Sequence, residues 1–160
     1  GFIFQGINLV SNLTLKENVL VPGYLATKSK EEVNERANNL LDKMEISDQI
    51  DKLPSQVSGG QKQRAAIARA MINNPDIIFA DEPTGALNSS SSKAVLDLLK
   101  SFNNDGQTVV MVTHDTKSAS YANRVVFLKD GRIEGELDLK KYQTNNQEKV
   151  IFDFLSEKGW

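Results

Sequence analysis

Val57-Ser58-Gly59-Gly60-Gln61 and, a dozen residues on, Ile77-Ile78-Phe79-Ala80-Asp81-Glu82-Pro83 decide how this chain is read. Ser58-x-x-Gln61 has capping-box spacing, in which each side chain answers the other residue's backbone N–H, so a helix starts here. Two consecutive glycines exceed what a cap requires. Lacking Cβ atoms, they let another group approach the backbone closely, at a helix end whose free N–H groups carry partial positive charge. That chemistry suits an anion; a well-made helix start is the plain alternative. The second stretch is a continuous apolar run of the kind buried in a parallel sheet, closed by two carboxylates. Open α/β sheets place their ligands at this carboxyl end of the strands. Two solvated loop acids before Pro83 are the plain alternative.

Outward from these stretches, helical and strand patterns alternate. Residues 1–4 predict a short strand ending at Gln5. Thr14-Leu15-Lys16-Glu17 is a Thr-x-x-Glu capping box and predicts a helix that Pro22-Gly23 stops. Over residues 30–46, Val33, Ala37, Leu40, Leu41 and Met44 mark one helical face. Residues 58–72 predict an alanine-rich helix broken before Pro75. A further helix is predicted over residues 90–102, then a β-branched strand over 108–113 and a short helix near 116–122. Strands over 124–128 and 132–137 flank Asp130-Gly131, a strong hairpin signal. Residues 142–146 read as a polar tail, and 150–155 as a last amphipathic helix. The pattern is an α/β sheet with a helical subdomain inserted ahead of it.

Bulk properties narrow the function. The 160 residues are 39% hydrophobic and 25% charged, ordinary for a globular domain and unlike a disordered chain. Nineteen basic and 21 acidic side chains give a net charge of −2, so there is no general basic field for nucleic acid, and none is expected as a partner. No run approaches the ~18 apolar residues that span a bilayer, and a membrane role would come through a partner. With zero cysteines there is neither a disulfide framework nor a thiolate metal site. Gly1-Phe2-Ile3-Phe4 reads as a strand already under way, which predicts that the chain is a fragment.

With Lys62-Gln63-Arg64-Ala65-Ala66-Ile67-Ala68-Arg69-Ala70 behind it, the Ser58–Gln61 stretch resembles the signature motif of ABC transporter nucleotide-binding domains, with Val57 where leucine is more usual. Ile77 to Glu82 resembles a Walker B strand. The resemblance implies an ABC ATPase fold of the P-loop NTPase kind, with ATP and magnesium as cofactors. It implies that Asp81 holds the magnesium, usually through water, and that Glu82 polarises the attacking water as general base. Gln5 matches the Q-loop glutamine, which senses magnesium and the attacking water. His114, the only histidine, matches the switch histidine at the γ-phosphate. Ser58, Gly59, Gly60 and Gln61 would face the nucleotide bound by a second nucleotide-binding domain. Thr84-Gly85-Ala86-Leu87-Asn88 resembles the D-loop, with Asn88 in place of the usual aspartate. Asn88 keeps the size needed to cap the helix that follows but carries no charge. Asp115 reads as the cap of the short helix after His114.

The segments around Gln5 also resemble the branch serving lipoprotein release, macrolide export and antimicrobial-peptide resistance. By motif the chain divides into residues 1–74 (Q-loop and helical signature subdomain), 75–140 (Walker B, D-loop and H-loop part) and 141–160 (tail). A transmembrane permease is the implied partner, and the inner face of the cell membrane the implied location. The phosphate-cradling Gly-x-x-x-x-Gly-Lys-Ser/Thr loop is absent: none of the ten glycines precedes a lysine. The 160 residues alone are therefore expected neither to bind ATP tightly nor to hydrolyse it, and the sheet is expected to show an uncovered edge or face that promotes association. A non-transport ABC ATPase and a non-catalytic interaction module are the alternatives. A co-purifying permease tells against the first, and a longer reading frame with the cradle against the second.

Overall fold

A computed structural model describes residues 1–26, 29–143 and 146–160, so Lys28 and part of the polar stretch at 142–146 lie outside the described residues. The chain resolves into two compact units, Gly1–Val112 and Thr113–Trp160.

The first unit holds strand β1 (Phe2–Ile3), helices α1 (Leu15–Leu25), α2 (Lys30–Lys43) and α3 (Gly59–Met71), strand β2 (Ile77–Asp81), helix α4 (Ser89–Asn104) and strand β3 (Thr108–Val112). The three strands form a parallel sheet in the order β1-β2-β3, with Ile3 opposite Ala80 and Asp81 opposite Val112. Their carboxyl ends lie together in this register, which brings Gln5, Asp81 and Glu82 to one end of the sheet.

The predicted caps form. Thr14 Oγ1 accepts the Glu17 N–H at 3.1 Å while Glu17 Oε2 accepts the Thr14 N–H at 2.7 Å. The next amides of α1 are satisfied by a loop, Leu15 N–H donating to Lys52 O and Lys16 N–H to Ile50 O. Pro22 does not end α1, contrary to the sequence expectation; the helix runs to Leu25. Proline costs this helix one backbone donor, but Val19, Leu20 and Gly23 are buried there, and Asn73 Nδ2 from beyond α3 holds the Pro22 carbonyl at 2.9 Å. Packing outweighs the break.

The core comes from the faces read in the sequence: Val33, Ala37, Leu40, Leu41 and Met44 of the α2 segment meet Leu15, Val19, Ile67, Ile78 and Val95. Arg36 of α2 reaches the carboxyl end of α3, donating from Nε to Ile72 O at 2.7 Å and from Nη2 to Met71 O at 2.9 Å. That occupies carbonyls a helix end otherwise leaves unpaired.

β2 is not buried on both faces, as its continuous apolar run predicted. Ile78 and Ala80 are in the core, whereas Ile77 and Phe79 are 39% and 40% exposed. The core helices pack against one side of the sheet. The other side carries exposed Phe2, Phe4, Phe79, Val110 and Val112, where Phe2 stacks on Phe79 with ring centroids 5.2 Å apart. The expected uncovered face is present in this unit, among the described residues.

The second unit holds helix α5 (Thr116–Ala119), strands β4 (Arg124–Lys129) and β5 (Arg132–Asp138), and helix α6 (Gln147–Glu157). The strands form an antiparallel hairpin across Asp130 and Gly131, both left-handed at φ 49° and 75°. That backbone is the reason Asp-Gly signals a two-residue turn. Leu139, Ile151 and Leu155 make its small core against Val125, Phe127 and Leu137.

Candidate functional site

β2 ends on Asp81, which is exposed, and the chain turns at once. Glu82 takes φ 42°, a left-handed conformation that costs a residue with a Cβ about 1–3 kcal/mol. Its N–H donates to Val112 O at 2.9 Å, extending the β2–β3 ladder by one bond, and its carbonyl accepts the Gly85 N–H at 3.0 Å. The turn thus closes on the Glu82 backbone. A Cβ placed on Gly85 would lie 3.3 Å from Gln5 Nε2 and 3.6 Å from Glu82 Cβ. Gln5, Glu82 and Gly85 therefore converge, although Gln5 and Glu82 are 77 positions apart in sequence.

Gln5 opens an irregular segment. The Ile7 N–H donates to Phe4 O at 3.0 Å, and Ile7 and Asn8 are both left-handed, at φ 64° and 51°. Two braces hold it. Arg69 of α3 donates from Nη1 to Asn8 O at 2.6 Å and from Nη2 to Ile7 O at 3.0 Å. Burial pushes the Arg69 pKa below its ordinary value, yet guanidinium stays charged in proteins. Asn18, buried in α1, accepts the Val10 N–H on Oδ1 at 2.7 Å and donates from Nδ2 to the carbonyls of Val10, Leu13 and Thr14. Neither brace belongs to a motif that the sequence marks as functional. An arginine on an alanine-rich helix was the available signal; the left-handed pair was not legible, because a β-branched residue such as Ile7 disfavours that conformation.

The start of α3 forms as its spacing predicts. Ser58 Oγ accepts the Gln61 N–H at 3.3 Å, and Gln61 Oε1 accepts the Ser58 N–H at 2.9 Å. The two glycines differ. Gly60 is buried because α4 comes close: a Cβ there would stand 2.8 Å from Ser91 Oγ. Its missing side chain is explained within the chain. Gly59 is exposed, and an added Cβ would meet only Leu87 Cδ2, at 3.4 Å. An anion at this helix start would be received by the Gly59 side. Asn88 caps α4 as expected, accepting the Ser91 N–H and the Ser90 hydroxyl on Oδ1, each at 2.9 Å.

His114 lies in the second unit and is exposed. Asp115 caps α5, as the sequence predicted, accepting the Ser118 N–H at 2.8 Å and the Ser118 hydroxyl at 2.6 Å. Burial opposes the Asp115 charge. Hydrogen bonds from Ser118 and Lys117, together with neighbouring His114, outweigh it and hold the carboxyl below its ordinary value.

Among the described residues no three His, Cys, Asp or Glu side chains gather as a metal cluster. Asp81, with Gln5 and Glu82 near the same end of the sheet, offers only a few oxygen donors. That set fits magnesium, which takes one or two carboxylates from protein and completes its shell with water and phosphate oxygens. No helix among the described residues is long and apolar enough to cross a membrane.

A family model described as ABC transporter matches residues 1–85. The macrolide export ATP-binding/permease protein MacB of Campylobacter jejuni is 48% identical over 151 residues, 94% of this chain and 23% of that protein. MacB of Pasteurella multocida is 50% identical over 133 residues, 83% of this chain and 20% of that protein. The chain therefore spans about a fifth to a quarter of the length of these curated relatives. Among solved structures, the ATP-binding cassette MJ0796, described as a dimer in a post-hydrolysis state bound to ADP and Pi, superposes with a TM-score of 0.75 at 46% identity. The match covers 87% of this chain and 62% of that one. A second dimeric structure of MJ0796, a bacterial ABC transporter cassette, gives 0.76 at the same identity. The fold is that of an ABC ATPase cassette, with helices α1 to α3 inserted between β1 and β2 of a parallel sheet and a hairpin after that sheet in sequence. This chain belongs to the ABC transporter family.

Proposed function

We propose that the chain is the signature-bearing part of the ATP-hydrolysing subunit of an ABC transporter, working through a separate or fused membrane permease at the cytoplasmic face of the cell membrane. The convergence of Gln5 and Glu82 on Gly85 at the carboxyl end of the sheet carries this reading. The likeness to MacB, an ATP-binding/permease protein, and to dimeric cassettes supports it. The motif divisions at 1–74, 75–140 and 141–160 serve as its functional segments.

In this reading Asp81 would hold magnesium, with Gln5 as the other protein donor. Bound magnesium supplies neutralising charge for the phosphate oxygens. Glu82 accepts a proton from the attacking water, and the turn at φ 42° fixes where its carboxylate starts from. His114 donates a hydrogen bond toward the γ-phosphate. Ser58, Gly59, Gly60 and Gln61 present the amino end of α3 to nucleotide held by a second nucleotide-binding domain, with the Gly59 backbone nearest the anion. The phosphate cradle must come from sequence other than these 160 residues.

In the intact protein, Glu82→Gln abolishes ATP turnover and leaves ATP-bound dimers that persist in size-exclusion chromatography. Turnover at the wild-type rate in Glu82→Gln removes Glu82 from the role of base.

A further inference from the structure

Ile7 and Asn8 stand two and three residues beyond Gln5 in left-handed backbone, and neither is glycine. A β-branched residue there is unstable unless its surroundings impose it. Backbone bonds from Ile7 N–H to Phe4 O and from Asn8 N–H to Gly6 O close the turn, and the side chain that reaches the carbonyls of the two left-handed residues comes from α3. The Arg69 fork donates to both carbonyls of the turn, Asn8 O at 2.6 Å and Ile7 O at 3.0 Å. These are charge-assisted bonds in a two-pronged geometry that lysine lacks. Arg69 lies in the same helix as Ser58–Gln61, three turns from its amino end. On the near side, Gln5 Nε2 lies beside Gly85 and Glu82. On the far side, Asn18 ties Val10 and Leu13 to α1. The segment is thus fixed at both ends and strained in the middle, and Arg69 sustains the strain.

We infer that Arg69 is a positioning residue that couples the signature helix to Gln5: by holding the Ile7–Asn8 turn left-handed, it places Gln5 next to Glu82 only when α3 is correctly seated. The inference rests on the function proposed above. It adds that displacement of α3, as when its amino end engages nucleotide, is transmitted to Gln5 through the two Arg69 hydrogen bonds. Released from Arg69, the turn relaxes toward right-handed or extended backbone and Gln5 loses its place. Ground-state nucleotide binding does not depend on that placement, whereas the chemical step does.

The test uses the intact protein. Arg69→Ala is expected to lower kcat for ATP about ten- to a hundredfold while KM for Mg-ATP changes less than about threefold. Arg69→Lys falls between, because it keeps the charge and loses the fork. Backbone amides between Phe4 and Val10 exchange hydrogen faster in both variants. The decisive variant adds Ile7→Gly and Asn8→Gly to Arg69→Ala. Glycine adopts the left-handed turn without help, so kcat should rise at least about threefold above that of Arg69→Ala.

Wild-type kcat in Arg69→Ala, or a loss that glycine does not relieve, overturns the coupling role. A loss shared by kcat and thermal stability without faster exchange at Phe4–Val10 does the same. If Arg69→Ala does not accumulate folded, Arg69→Lys with and without the two glycines carries the same readouts. The wild-type protein separates the two levels. If it hydrolyses no ATP, the underlying function fails; if it hydrolyses ATP and Arg69→Ala is unimpaired, only the coupling fails.

Discussion

Gly60 and Ser91 touch so closely that a single methyl group on Gly60 would stand 2.8 Å from Ser91 Oγ and 3.0 Å from Ser91 Cβ. This contact locks the start of α3 to the start of α4, the helix that Asn88 caps. It gives half of the glycine pair a packing role and leaves Gly59 as the half open to a ligand.

Gly60→Ala should therefore destabilise the protein by about 1–3 kcal/mol, and adding Ser91→Gly should recover much of the loss. Gly59→Ala meets only Leu87 at 3.4 Å, so its stability should be unchanged or up to about 1 kcal/mol greater. Urea denaturation of the three variants checks the order. Equal losses for Gly59→Ala and Gly60→Ala would contradict the packing account.

The Glu82 backbone makes a second prediction, independent of the carboxylate. Because φ is 42°, Glu82→Gly should be more stable than Glu82→Ala by about 1 kcal/mol, although both lose the acid. Thermal unfolding of the pair distinguishes them. An alanine variant as stable as the glycine variant would mean that the turn relaxes without its bond to Val112.

Asp115 sets a pH dependence in the second unit. Its carboxyl is held below the ordinary aspartate value in the folded state, so the unfolded chain binds its proton first as pH falls. The Asp115 contribution is present above the unfolded value of about 4 and is lost as pH drops from there through the lower folded value. Unfolding experiments between pH 6 and roughly 3 should show a shallower decline for Asp115→Asn than for the wild type. Parallel curves would exclude this group as a contributor.

The uncovered sheet face predicts association of the 160-residue chain. Phe2, Phe79 and Val112 are 58%, 40% and 59% exposed, and apolar side chains grouped on one face promote self-association. Sedimentation velocity should show oligomers that diminish in Phe79→Thr with Val112→Thr. A monodisperse wild-type monomer at micromolar concentration would count against it.

Local signals transferred from sequence to structure almost unchanged. Thr14-x-x-Glu17 and Ser58-x-x-Gln61 formed reciprocal caps, Asp130-Gly131 turned the hairpin, and the 3.6-residue spacing of Val33, Ala37, Leu40 and Leu41 marked a buried face. Each depends on groups within a few residues of one another. Two readings failed for the complementary reason. Pro22 did not end its helix because distant packing compensated for the lost donor, and β2 was covered on one face because burial depends on what packs there.

By itself the sequence determined the caps, the helical faces, the strand ending in Asp81-Glu82 and the motif order that identifies the family. Only the tertiary structure brought Gln5 to Glu82 around Gly85, divided Gly59 from Gly60 in purpose, and set the Arg69 fork on a left-handed Ile7–Asn8 turn. The physical reason is separation along the chain. A capping box closes over three residues, whereas the Arg69 contact spans 61 and 62, and no local pattern specifies the second partner of a bond that folding alone brings within reach.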